Sequence, residues 1–104
     1  MSIKYFKVNF VFTKKGALSY ISHLDLMRLL MRAARRASLP LYFSEGFSPH
    51  PKLSLKRALK LGAESDCEEG EILLTRKMHP RLFRRGLNRQ LPEGIKIKQA
   101  NISA

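Results

Sequence analysis

Two short stretches carry most of the side chains capable of chemistry: Ser22-His23-Leu24-Asp25, and Ser44-Glu45-Gly46-Phe47-Ser48-Pro49-His50-Pro51-Lys52. An imidazole titrates near neutrality and can pass a proton in either direction. His23 and His50 are therefore the candidates for acid–base work on an RNA ribose, and Ser44 or Ser48 with a histidine for a nucleophilic pair. The spacing completes no catalytic set. There is no Gly-x-Ser-x-Gly elbow, no pair of carboxylates, no phosphate-cradling P-loop and no dinucleotide fingerprint. A metal site is not expected either. His23 and Asp25 stand two residues apart on a helix start, where side chains diverge by roughly 200°, and no third ligand has recognisable spacing.

The second stretch is also a shaped loop. Gly46 permits positive φ, while Pro49 and Pro51 fix their own φ and push Ser48 and His50 towards extended backbone. Phe47 is the large apolar residue within it, an anchor or stacking group if exposed and ordinary core if buried. Cys67 cannot form an internal disulfide and is flanked by acids that disfavour its thiolate, so it is taken as incidental.

The elements that hold these stretches follow from periodicity. Residues 3–12 alternate, with Phe6, Val8, Phe10 and Phe12 on one face, and predict a half-buried strand ended by a turn at Thr13–Gly16. Ser22 is a natural N-cap, with Asp25 three residues on and Ile21 placed to staple onto Leu26. Leu26, Leu29, Leu30, Ala33 and Ala37 then mark a core-facing stripe of a helix over 23–37, opposite Arg28, Arg32 and Arg35, with Arg36 beside them. No acid stands four residues from these arginines to pair with them. Leu41-Tyr42-Phe43 is a short extended run. Residues 53–62 suit a strand and a helical turn equally well, and the acidic run Glu64–Gly70 is expected to be an exposed connection leading into a strand at 71–75. Pro80 opens a second helix reaching about Leu91, with Leu82, Phe83, Leu87 and Leu91 as its apolar residues and Arg81, Arg84, Arg85 and Arg89 as its basic face. A turn at Pro92-Glu93-Gly94 leads to a last strand over 95–100, with Ile95 and Ile97 inward. The order strand, helix, strand, strand, helix, strand predicts an α+β, ferredoxin-like split βαβ fold (βαββαβ): an antiparallel sheet with two helices on one face. The 104 residues are expected to form one domain.

Charge narrows the partner. Twenty Lys and Arg stand against eight Asp and Glu, a net charge of +12, and five of those acids (Glu64, Asp66, Glu68, Glu69, Glu71) fall within residues 64–71. The rest of the chain should present a strongly positive face to an anionic partner, of which RNA is the best motivated. Tyr20, Tyr42 and Phe47 are candidates to stack on unpaired bases, although the aromatic-rich signature of the RNA-recognition motif is absent. No run of residues is long and apolar enough for a membrane span and no signal peptide is apparent, so the expectation is a cytoplasmic protein without a membrane partner.

Several stretches resemble one family closely: Tyr20 to Arg28 with its Ser-His-Leu-Asp core, Arg32 to Ala37, Ser44 to Ser54 with its Ser-Glu-Gly-Phe-x-Pro-His-Pro core, and Leu61-Gly62. They are similar to the radical-SAM-linked protein family, domains of unknown function found beside or fused to radical SAM proteins and, in some bacteria, adjoining ribonuclease E/G-type proteins. The resemblance implies a radical SAM partner. It brings no established catalytic residues, so the candidate partner or ligand site rests on the motif positions Ser22, His23, Asp25, Ser44, Glu45, Gly46, Phe47, Pro49, His50 and Lys52, which are expected to lie near one another. Members of the family are longer, so this chain is either a short variant or the N-terminal portion of a longer domain. It contains no Cys-x₃-Cys-x₂-Cys, so it holds no cofactor of its own, and any iron–sulfur chemistry belongs to a partner. The expected function is an RNA-binding accessory domain acting with a radical SAM enzyme on tRNA or rRNA. The alternatives are a small metal-independent ribonuclease using His23 or His50, and a protein-interaction module whose Phe47 loop docks on the radical SAM partner.

Overall fold

A computed structural model describes residues 5–103; Ile3 and Lys4 of the expected first strand lie outside them. The elements are β1 (Phe6–Lys14), α1 (His23–Arg36), β2 (Leu53–Leu55), β3 (Ser65–Leu74), α2 (Pro80–Gln90) and β4 (Ile97–Ser103). They form one antiparallel sheet of order β2-β3-β1-β4, with a core built from the inner face of the sheet and the apolar sides of the helices. This is the ferredoxin-like βαββαβ arrangement.

The period-two pattern of β1 explains its place at the centre: Val8, Phe10 and Phe12 are buried, and Leu26, Leu30, Ala33 and Ala34 of α1 with Phe83 and Leu87 of α2 join them in one core. Phe10 packs on Phe12 and on Phe83, with ring centroids 5.8 and 5.9 Å apart. Leu82, by contrast, is exposed, because it falls on the outward side of α2.

Four expectations change. β1 runs on through the expected turn to Lys14, with a bulge between Phe12 and Lys14, and the following Gly16–Tyr20 is a 3-10 turn. The acidic stretch is not a connection but the first half of the longest strand: Glu68, Gly70, Ile72 and Leu74 face inward while Glu69 and Glu71 face out. A strand with one face in the core tolerates acids on the other, and carboxylates on the inward side only where cations reach them. β4 is displaced to 97–103 because a turn at Gly94 holds residues 94–96 against Thr13 and Lys15: Lys15 N–H donates to Gly94 O at 3.0 Å and Thr13 N–H to Lys96 O at 2.9 Å. Residues 53–62 resolve into three residues of strand and then irregular chain, which turns at Leu61-Gly62 where Gly62 N–H donates to Ser19 O at 2.7 Å.

Candidate nucleic-acid interface

The two motifs occupy opposite ends of the molecule. β1 runs from Phe6, opposite Leu74, to Lys14, opposite Ser65. The start of α1 follows the Ser65 end. The helix then returns across the sheet for its 14 residues, about 21 Å of rise, to reach Leu41, which bridges to Leu74. Ser22, His23 and Asp25 thus sit at one end and residues 44–52 at the other. His23 and His50 do not converge, contrary to the expectation of a single cluster.

At the first end Ser22 caps α1, its Oγ accepting the Asp25 N–H at 3.1 Å. The Asp25 carboxylate does not close the capping box. It pairs instead with Arg28 at 3.5 Å, a partner three residues away that a search at spacing four misses. His79, to which the sequence assigned no role, caps α2: its Nδ1 accepts the Arg81 N–H at 3.1 Å.

At the other end residues 43–51 form a closed loop. Phe43 bridges to Pro51, and Ser44 N–H donates to His50 O at 2.8 Å. Ser44 Oγ accepts the His50 N–H at 3.2 Å, and His50 Nδ1 lies 3.2 Å from Ser48 O. Nδ1 also lies 3.3 Å from Ser44 Oγ, so the ring sits between a carbonyl that can only accept and a hydroxyl that can donate or accept. Gly46, at φ +119°, makes the bend. Glu45 and Pro49 are exposed, and Phe47 stands fully exposed at the tip; it is not core. Lys52 is exposed and pairs through its backbone with Tyr42 and Leu73. Tyr42 is half-buried against Tyr5, and Tyr20 is exposed beside Gly62.

The cations are arranged more coherently than either motif. On α2, Arg81, Arg85 and Arg89 recur every four residues on the side away from Phe83 and Leu87, while Arg84 and Asn88 point towards β4. A cleft of about 780 Å³ lies there, lined by Arg84, Arg85, Asn88, Arg89, Lys96, Lys98, Thr13, Ile97 and Asp66. Asn88 fixes its floor: Nδ2 donates to Ile97 O at 3.0 Å and the Ile97 N–H donates to Oδ1 at 2.7 Å. Arg84 Nη1 reaches Lys98 O at 3.4 Å. The one acid of the cleft is already engaged by the Lys15 ammonium. That hydrogen bond holds the Asp66 carboxyl below the usual carboxylate range, with Lys98 adding to the effect. Among the described residues none of the five cleft cations takes part in a salt bridge. Alternation along the strand marks Lys96 and Lys98 only as outward, and it is the register of β4 and the Asn88 clamp that set them beside α2.

On α1, Arg28, Arg32, Arg35 and Arg36 are all exposed. Arg28 has Asp25, and the Arg35 guanidinium lies 5.9 Å from the centre of the Phe43 ring. The open face of the sheet differs. Lys7 pairs with Glu71 at 3.7 Å and Lys56 with Glu69 at 3.5 Å, and its strands β1, β3 and β4 present Asn9, Val11, Gln99 and Asn101 between them. No aromatic platform lies on those residues.

Inside the same end of the sheet Glu68 is buried and accepts both Arg57 Nε at 3.1 Å and Nη2 at 2.8 Å, and Ser65 Oγ at 2.6 Å. The Arg57 hydrogen bonds hold its carboxyl below the ordinary value, with help from Ser65 and from the charge of Lys14. Lys14 is itself buried, and its ammonium has no hydrogen-bond partner. Among the described residues no group of three or more His, Cys, Asp or Glu is placed to hold a metal ion, and no helix is long and apolar enough to cross a membrane.

Residues 7–104 match the family described as "Uncharacterized protein conserved in bacteria (DUF2344)". No curated protein and no solved structure matches the chain.

Proposed function

The chain belongs to that bacterial family, and from this premise we propose that it is an RNA-binding accessory domain, working with a radical SAM enzyme on tRNA or rRNA. The observation that carries the RNA half is the α2–β4 cleft. Arg84, Arg85, Arg89, Lys96 and Lys98 converge there, with no salt-bridge partner among the described residues, on a backbone that Asn88 holds in place. Guanidinium and ammonium groups left unpaired on one surface neutralise phosphates and release counterions. The one carboxylate of the cleft is engaged by Lys15 and no histidine is among its lining residues, which supports binding over cleavage at this surface. The radical SAM half rests on the likeness of the Ser22–Asp25 and Ser44–Lys52 stretches to domains linked to such enzymes. A specific observation favours one addition: Phe47, exposed at the tip of a clamped loop, suits docking onto the enzyme, with RNA held elsewhere.

The test is fluorescence anisotropy with bulk tRNA at about 50 and 200 mM salt, with product gels on the same samples. The expected result is affinity that falls steeply with salt, by about 10³-fold or more if six phosphates are contacted, without cleavage. Absence of binding at low salt overturns the RNA half, and cleavage abolished by His50→Ala favours the ribonuclease alternative.

A further inference from the structure

The helix layer carries cations in a pattern that the cleft alone does not use, and this inference rests on the RNA-binding reading. Arg81, Arg85 and Arg89 step along α2 at intervals of about 6 Å, a repeat comparable to the separation of successive phosphates along one strand. Arg28, Arg32 and Arg35 make a second row on α1, again on the side away from the core. The helices run antiparallel and meet at the C-terminal end of α1, where a Cβ placed on Gly86 would lie 3.7 Å from the Cβ of Ala37, the residue that caps α1. Helices in contact have axes about 8–10 Å apart, so the layer offers two neighbouring guanidinium rows of opposite chain direction.

From this we infer that the helix layer binds double-helical RNA, one arginine row along each phosphate strand bordering a groove. Three observations favour a duplex over unpaired RNA. A duplex carries about one phosphate charge per 1.7 Å of axis, twice the density of a single strand. None of the exposed aromatic residues among those described (Tyr5, Tyr20, Phe43, Phe47) lies on α1 or α2, and the one ring beside an arginine row, Phe43, is 5.9 Å from the Arg35 guanidinium, so the rows themselves offer no series of rings on which to stack bases. The opposite face of the sheet, where ferredoxin-like RNA binders hold single strands, has Glu69 and Glu71 facing out. Recognition of the phosphate array by shape, rather than of base edges, is what such a surface supplies.

The experiment compares a blunt RNA duplex of about 16 base pairs with each of its strands alone, by anisotropy at about 100 mM salt, for the unaltered chain, Arg32→Glu/Arg85→Glu, the milder Arg32→Gln/Arg85→Gln, and Lys56→Glu on the open sheet face. Circular dichroism checks that each variant is folded. The duplex is expected to bind at least about fivefold more tightly than either strand. The glutamate pair should weaken duplex binding at least about tenfold, the glutamine pair should weaken it less and lower the slope of log K against log salt by about 2, and Lys56→Glu should leave it unchanged. Equal or tighter binding of single strands overturns the duplex assignment while RNA binding itself stands. Duplex binding that ignores the arginine pair, or falls equally with Lys56→Glu, overturns the assignment to the helix layer. Binding of neither form defeats the RNA reading as well, which is a distinguishable result.

Discussion

The helix layer and the open face of the sheet are both studded with cations, yet only one has them available. On the sheet, Lys7 and Lys56 are matched by Glu71 and Glu69; on the helices, Arg32, Arg35, Arg36, Arg81, Arg85 and Arg89 have no carboxylate partner among the described residues. The difference traces to β3. That strand carries four of the eight acids, and two of these, Glu69 and Glu71, face out across the sheet, so the unmatched part of the net charge of +12 is left on the opposite side. A sum of charges over the sequence predicts attraction to polyanions, whereas the topology decides which surface exerts it.

The strongest way to break this contrast is at the cleft. Reversing Arg84, Arg85 and Arg89 to Glu should lower tRNA affinity at low salt by about two orders of magnitude or more, whereas Lys7→Glu, measured in the same anisotropy assay, should change it by less than about threefold. A large effect at Lys7 would mean that the sheet face takes part in binding.

The inward side of β3 sharpens the contrast, because there an acid serves stability. Glu68→Gln should cost about 2 kcal/mol in urea unfolding, since the buried carboxylate that Arg57 and Ser65 hold would be lost. The pH dependence has a definite sign. The folded-state pKa of Glu68 is lowered, so its contribution is complete above the unfolded carboxylate value and is lost as pH falls through the folded one. Unfolding midpoints followed from pH 7 into the acid range should therefore fall less in Glu68→Gln than in the unaltered chain.

Gly70 tests the same strand by packing. A Cβ there would lie 2.5 Å from Phe10 Cζ and 3.0 Å from Leu55 Cδ2, so Gly70→Ala should destabilise by about 1–3 kcal/mol through overpacking, again by urea unfolding, although its outward neighbours Glu69 and Glu71 are acidic. The smallest effect has the opposite sign. Gly86 lies in the interior of α2 with ordinary van der Waals room against Ala37, and Gly86→Ala should raise stability by about 0.5–1 kcal/mol while leaving tRNA affinity unaltered.

What the sequence disclosed, and what it hid, follows from the range of the signals. β1, α1 and α2 were legible because Phe6 to Phe12, Leu26 to Ala33 and Phe83 to Leu87 repeat at the period of their elements, and the Ser22 cap is local. The acidic half of β3 was not legible. Glu64 to Gly70 has the composition of a loop, and only pairing with β1 makes Ser65 to Gly70 a strand. Likewise Lys14 looked like part of a turn, but a bulge directs it into the core. That residues 44–52 form a shaped loop was legible from its prolines and glycine, whereas the meeting of Ser44 with His50, six residues apart, was not. The convergence of that loop with Ser22–Asp25 failed because it depended on which end of the sheet each motif reaches, a property of strand direction. The cleft shows the same limit: its arginines were visible as a helix face, its lysines only as alternating strand residues.

Asn88 has a consequence beyond shaping that cleft. β4 is a border strand of the sheet, and such strands leave a row of peptide groups open to recruitment by another chain, the first step towards aggregation. The Asn88 side-chain amide occupies both the N–H and the carbonyl of Ile97, as a neighbouring peptide would, and Arg84 reaches the carbonyl of Lys98. The opening stretch of the border is thereby taken by α2, with Lys96 and Lys98 repelling a second copy of the same strand, and the protein keeps its most basic surface from becoming a template for self-association.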